Sequence, residues 1–215
     1  MKKCLLLAVI IFIFSSFLMA AGEDLLQIFL TRNAKINSFQ AKFTQKNYWP
    51  KQEIVHSSQG VLYTKGENIL LEHKEPEKQF MVGTKDELVF YFPERQKLIG
   101  SDASFWQYFI SPKFLSREYI KFCEYESYEE LDNSTKFTFR AKKVINDLKQ
   151  IKITFSNQDS LIERFFYKDK YNNEVLFTFY DQQVNIAIPD SIFHLEIPQD
   201  VDVIDQRKES SGGDE

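Results

Sequence analysis

The chain has 215 residues, with 27 Lys and Arg against 31 Asp and Glu, for a formal net charge of −4. That sign gives no support for nucleic acid or an anionic membrane surface as partner. Two Cys and three His leave little material for disulfides or metal sites, whereas 21 Phe, 10 Tyr and 2 Trp are a large aromatic surplus. Such a surplus points to enclosing something apolar, or to rings that simply fill a β core.

Residues 1–21 read as a cleaved export signal. Lys2 and Lys3 form a basic start, Leu5 to Phe14 a short apolar run, and Ser15, Ser16 and Met19-Ala20-Ala21-Gly22 the small residues of a cleavage region. The run is short for a stable membrane span, and Glu23 and Asp24 follow at once. Removing Lys2 and Lys3 leaves 25 basic against 31 acidic residues, a balance near −6. Cys123 then remains as the sole thiol, so an internal disulfide is excluded and stability must come from packing.

Glu23 to Ser38 is predicted as an amphipathic helix, with Leu25, Phe29, Arg32 and Ile36 at spacings of three and four. From Phe39 the period changes to two. Phe39, Ala41 and Phe43 share one face; Gln40, Lys42 and Thr44 share the other. Further strands are expected at Val55–Thr64, Asn68–His73, Lys78–Gly83, Glu87–Phe92 and Arg95–Ile99, separated by turn residues. Ser101–Ser116 breaks the pattern. It carries Phe105, Trp106, Phe109, Ile110, Phe114 and Leu115 around Ser111-Pro112, and reads as a short helical insert. Strands resume at Ile120–Ser127, Thr135–Ala141, Leu148–Phe155, Leu161–Lys168 and Glu174–Tyr180, then at Val184–Ile188 and near Phe193–Ile197.

The links are of turn length, so antiparallel meander pairing is expected. Strand parity gives one greasy and one wet face. A twisted antiparallel sheet of that kind curls around its greasy face. The N-terminal helix alone is too small a cover, and the helical insert is the second cover and a lid. The fold class is thus mainly β (α+β): an unclosed antiparallel β-barrel of about eleven strands under an N-terminal helix and a short helical lid. Residues 22–208 form one domain, and 209–215 a disordered polar tail.

No nucleophile elbow, phosphate loop, CxxC pair or HExxH motif is present. His56, His73 and His194 fall on separate strands with no metal-ligand spacing. Nothing positive supports an enzyme, a cofactor or a metal.

Several segments, in order, carry a resemblance. Phe39-Gln40-Ala41-Lys42-Phe43-Thr44-Gln45 after the helix, Gly60-Val61-Leu62-Tyr63-Thr64-Lys65, Asp147 to Ile151, Asp159 with Leu161-Ile162, and Val184 to Ile186 form the first part of the set. Ile192-Phe193 before Ile197-Pro198, and Val201 to Lys208, complete it. Together they resemble the periplasmic outer-membrane lipoprotein carrier family (LolA-like). The resemblance implies a half-open cup with an apolar cavity for lipoprotein acyl chains. It implies a monomer that receives triacylated lipoproteins from an inner-membrane ABC transporter and passes them to an outer-membrane acceptor, without catalysis. Where the family carries an arginine latch before its third strand, this chain has Gly66 beside Lys65.

The expected acyl-chain contacts are Leu70, Met81, Val89, Tyr91, Phe105, Trp106, Phe109, Ile110, Phe139 and Phe155, with Phe105, Trp106, Phe109 and Phe114 forming the lid. Ordinary core packing is the competing role for each. Two other functions stay open: a lipoprotein-binding envelope-stress sensor of the same fold and, more remotely, an exported hydrolase.

Overall fold

A computed structural model describes residues 22–84, 87–102, 123–142 and 148–206. The expected leader, most of the expected helical insert with its lid residues, and the expected C-terminal tail lie outside the described residues. The chain opens with helix α1 over residues 22–33. It buries Leu26, Phe29, Leu30 and Asn33, a three- and four-residue spacing that puts one stripe inward. The helix ends at residue 33, short of the expected Ser38, which begins the first strand.

The first six strands are β1 Ser38–Trp49, β2 Ile54–Lys65, β3 Asn68–Glu75, β4 Gln79–Gly83, β5 Glu87–Phe92 and β6 Lys97–Asp102. The second six are β7 Cys123–Glu130, β8 Ser134–Ala141, β9 Leu148–Ser156, β10 Ile162–Asp169, β11 Glu174–Val184 and β12 Asp202–Asp205. All twelve form one sheet in the order β12-β6-β5-β4-β3-β2-β1-β11-β10-β9-β8-β7. Two meanders therefore meet where β1 pairs with β11. The edges, β12 and β7, do not pair with each other, so the sheet is unclosed.

Three expectations need correction. The runs Val184–Ile188 and Phe193–Ile197 are not strands. β11 continues to Val184, Asn185 turns the chain at φ +55, and a 3-10 turn spans Asp190–Phe193 after Pro189. Proline at that position fixes φ and removes a ladder donor. The sheet is also not wholly antiparallel, because β12 joins β6 in parallel, with Val203 opposite Leu98.

Register assigns each side chain to a face. The inner face carries α1 and a continuous core that includes Phe39, Phe43, Leu62, Leu71, Phe137, Ile151, Ile153, Phe155, Phe165 and Phe177. The outer face of β3 and β4 carries a second, smaller core: Leu70 and Val82 pack with Ile188 and Phe193. The chain after β11 folds back to make it. Asn185 accepts from the Asn37 amide at 2.8 Å, Ser38 Oγ donates to the Ile186 carbonyl at 2.6 Å, and Lys65 Nζ donates to the Ile188 carbonyl at 2.9 Å.

Candidate functional site

The inner face is covered unevenly. On the β8–β10 side α1 lies against it. Phe29 stacks on Phe155 with ring centroids 4.9 Å apart and meets Phe137 edge-on at 5.7 Å. Arg32 Nη1 donates to Ser160 Oγ at 2.6 Å, and Asn33 Nδ2 donates to the Ser160 carbonyl at 2.8 Å. Those bonds pin the helix's end to the turn between β9 and β10.

On the opposite side of the sheet, pairing follows Leu71 to Met81, Met81 to Phe90 and Phe90 to Ile99. These four lie in one row across β3–β6 on the inner face. Leu71 is buried, whereas Met81, Phe90 and Ile99 are only half-buried. Among the described residues there is one helix. Twelve residues of helix span about 18 Å, whereas twelve strands span about 50 Å along the sheet's curve. One helix cannot cover that width.

Between the two sides sits a small polar network. His73 is buried on the inner face, edge-on to Phe43 at 5.2 Å between centroids. Gln79 Nε2 donates to His73 Nδ1 at 3.2 Å; Nε2 of the ring is then the protonated nitrogen and donates to Gln45 Oε1 at 2.8 Å. Gln45 Nε2 donates onward to Asn47 Oδ1 at 2.8 Å. Burial pulls the His73 pKa down to about 4, with a smaller push from His56. The imidazole is therefore neutral at ordinary pH. Gly60 lets the β3 backbone approach β2 closely beside His73: a Cβ there would stand 1.9 Å from the Glu72 carbonyl oxygen. Tyr167, also on the inner face, has its hydroxyl pKa pushed up to about 12 by burial and by Asp169. Among the described residues, no group of three or more His, Cys, Asp or Glu is placed to hold a metal ion.

The expected contact residues divide by face. Met81, Phe139 and Phe155 lie on the inner face. Phe139 and Phe155 are 2% and 0% exposed and packed by protein, Phe155 under the helix, while Met81 is half-buried. Leu70, Val89 and Tyr91 lie on the outer face: Leu70 pairs with Val82, Val82 with Val89, and Phe80 with Tyr91. Leu70 belongs to the second core, and Tyr91 stacks on Phe80 at 6.2 Å. Phe105, Trp106, Phe109, Ile110 and Phe114 fall outside the described residues. The inner-face residues that periodicity missed are Leu88, Phe90 and Ile99. Glu-Leu-Val-Phe-Tyr-Phe of β5 is apolar on both faces, so alternation gave no phase; only the pairing from Met81 supplies it.

The latch position is resolved by geometry. Gly66 has φ +61 and open space where a side chain would point, so it serves the tight β2–β3 turn. Lys65 follows Tyr63 on the outer face and makes a 2.8 Å ion pair with Asp190, tying down the returning segment rather than the inner-face cover.

Comparison with known proteins agrees with this architecture. A crystal structure of an uncharacterized conserved protein from Thermus thermophilus is similar over 84% of this chain and 98% of its own, at 14% identity and TM-score 0.55. A LolA superfamily protein from Nitrosomonas europaea matches over 78% of this chain and 96% of its own, at 13% identity and TM-score 0.44. The Pseudomonas aeruginosa MucA/MucB complex matches over 79% of this chain and 60% of its own, at 11% identity and TM-score 0.45. At 14% identity, the likeness to the Thermus thermophilus protein speaks to fold alone. The family model for outer membrane lipoprotein carrier protein LolA matches residues 34–196, most of the chain and nearly all of the sheet, and the chain belongs to that family.

Proposed function

We propose that this protein is a periplasmic carrier that buries lipoprotein acyl chains on the inner face of its unclosed sheet. It would take triacylated lipoproteins from an inner-membrane ABC transporter and release them to an outer-membrane acceptor. The observation that carries the reading is the row Met81, Phe90 and Ile99. It is apolar, half-buried and on the same face as the core, on the far side of the sheet from the helix. Family membership supports lipoprotein binding as the cargo class.

The chemistry is reversible burial. Each methylene removed from water contributes about 0.8 kcal/mol. A row of half-covered apolar side chains can close on an acyl chain and reopen without breaking a covalent bond. No reaction is required of the protein. The lid expected at Phe105, Trp106, Phe109 and Phe114 would complete the enclosure.

Native mass spectrometry of protein isolated from a periplasmic extract tests the binding step. A bound triacylated lipoprotein is the expected adduct; a consistently unliganded chain would count against the reading. Incubation with inner-membrane vesicles carrying loaded transporter tests the transfer step, with soluble lipoprotein in the supernatant as the expected result. Binding without release would instead favour a sensor of the same fold.

A further inference from the structure

The β1–β2 hairpin outruns its neighbour. β3 pairs with β2 only up to Gln59, so Ile54–Ser58 pair with β1 alone. Five strand residues span about 17 Å, and this tongue stands clear of β3 by that length. Its end is apolar on both faces. Tyr48 is opposite Val55 on one, and Trp49 is opposite Ile54 on the other. None of these is sealed into a core: Tyr48 is 39%, Ile54 48% and Val55 63% exposed.

A second turn stands beside it. Tyr171, between β10 and β11, is 53% exposed. Lys51 Nζ lies 5.7 Å and Lys170 Nζ 5.0 Å from its ring centroid, so the two turns form one surface. Lys149 reaches the same turn through Asn172 Oδ1 at 3.3 Å. The charge here opposes that of the whole chain. Lys46, Lys51, Lys149, Lys168 and Lys170 stand against Glu53, Glu75, Asp169 and Glu174, a local balance of +1 against −4 overall. Lys168 and Glu174 neutralise each other at 2.7 Å. Asp169 accepts from the Tyr171 and Asn173 amides, which ties its carboxylate to its own turn.

We propose that this tongue is a membrane-interface anchor that seats on a phospholipid surface bearing anionic headgroups. Aromatic rings with a polar end favour the boundary between headgroups and acyl chains. Lysines around them add attraction to anionic lipid. Charge complementarity selects lipid as occupant: the net charge of the chain opposes an anionic surface, whereas the local balance at the tongue favours it. Trp49 shares the inner face with Asn47, Gln45 and Phe43. Seating the tongue therefore brings that end of the inner face to the lipid. This goes beyond carriage, since no tongue residue lies in the row proposed to bury cargo.

The test uses the chain recovered from the periplasmic fraction of cells expressing the full sequence. It is co-sedimented with phosphatidylcholine vesicles with and without phosphatidylglycerol. Binding is expected on the phosphatidylglycerol vesicles and should weaken with salt. The double variant Ile54→Glu, Val55→Glu should lower partitioning by about tenfold or more. Lys51→Ala and Lys170→Ala should each lower it by about fivefold, on the anionic vesicles only. Both sets replace exposed residues, and unchanged thermal unfolding confirms the fold. A Phe90→Glu chain should still bind, which separates the tongue from the inner face. Parent protein that ignores both vesicle types would overturn the proposal, as would tongue variants that bind like the parent. So would a photo-crosslink from position 55 that reports only a protein neighbour while vesicles fail to bind.

Discussion

Phe29 of the helix stacks on Phe155 of β9 with 4.9 Å between centroids and 16° between planes. The contact joins the one described helix to the inner face at a point where Phe155 is fully buried. Deleting a buried phenyl ring costs the lost transfer free energy and leaves a cavity. Phe29→Ala should therefore destabilise the fold by about 3–5 kcal/mol. Phe29→Leu, which refills much of the space, should cost distinctly less. Urea unfolding of both variants checks this, and equal losses would mean that the helix does not depend on the ring.

Val89 and Phe90 are neighbours in sequence and lie on opposite faces of β5. Phe90→Glu puts a carboxylate into the row proposed to hold acyl chains. Lipoprotein release from inner-membrane vesicles should then fall severalfold or more, because the charge must be desolvated by any bound chain. Val89→Glu alters the outer face and should leave release close to the parent's. Both residues are half-buried, so comparable folding costs are expected and the face remains the variable. Equal release defects in the two variants would sink the assignment of the inner face.

How far the sequence could be read depended on whether the two faces of a strand differ. In β8, Lys136, Thr138 and Arg140 alternate with Phe137 and Phe139, and parity placed both rings inward. The same held for Phe177 and Phe179 of β11. Parity gave no such separation at Leu70, Val89 and Tyr91, because the outer face of β3–β5 is also apolar. That second core exists only because the chain after Asn185 returns across the sheet to bring Ile188 and Phe193 onto Leu70 and Val82. The run near Phe193 read as a strand for the same reason: its hydrophobicity marks burial, and alternation cannot tell burial under a turn from burial in a ladder. His73 stood out only as a residue without ligand spacing. Its partners Gln45 and Gln79 come from β1 and β4, a juxtaposition created by long-range pairing.

The returning segment allows two kinds of tether to be compared. Lys65 and Asp190 form an ion pair at 2.8 Å, but both side chains are substantially exposed. Exposed pairs contribute about 0–1 kcal/mol, so Asp190→Asn should move the unfolding midpoint little. Phe193 is 3% exposed in the outer core. Phe193→Ala should cost about 3–5 kcal/mol. Amide exchange over residues 186–195 should rise in the second variant and stay near the parent's in the first. A large effect from Asp190→Asn would show that the ion pair, rather than the apolar contact, holds the segment.

The His73 network makes stability depend on pH in a defined window. Unfolded, the imidazole titrates near its ordinary value of about 6.5; folded, burial holds it near about 4. Above the unfolded value both states are neutral, and His73 adds no slope. Between the two values the unfolded chain binds a proton that the folded chain does not. Stability should then fall by about 1.4 kcal/mol per pH unit. Below the folded value both states are protonated and this slope vanishes, after a total loss on the order of 3 kcal/mol. Protonation would also cost the Gln79 bond, since Nδ1 could no longer accept. His56 and His194 are exposed, and His56 is the charge that adds to the shift. His73→Gln should flatten the dependence between pH 6.5 and 4 relative to the parent, whatever its effect at neutral pH. Chemical denaturation across that range in both proteins measures the difference in slope. Parallel curves would mean that His73 is already accessible to protons in the folded protein, and that the inner face is open to water at its centre.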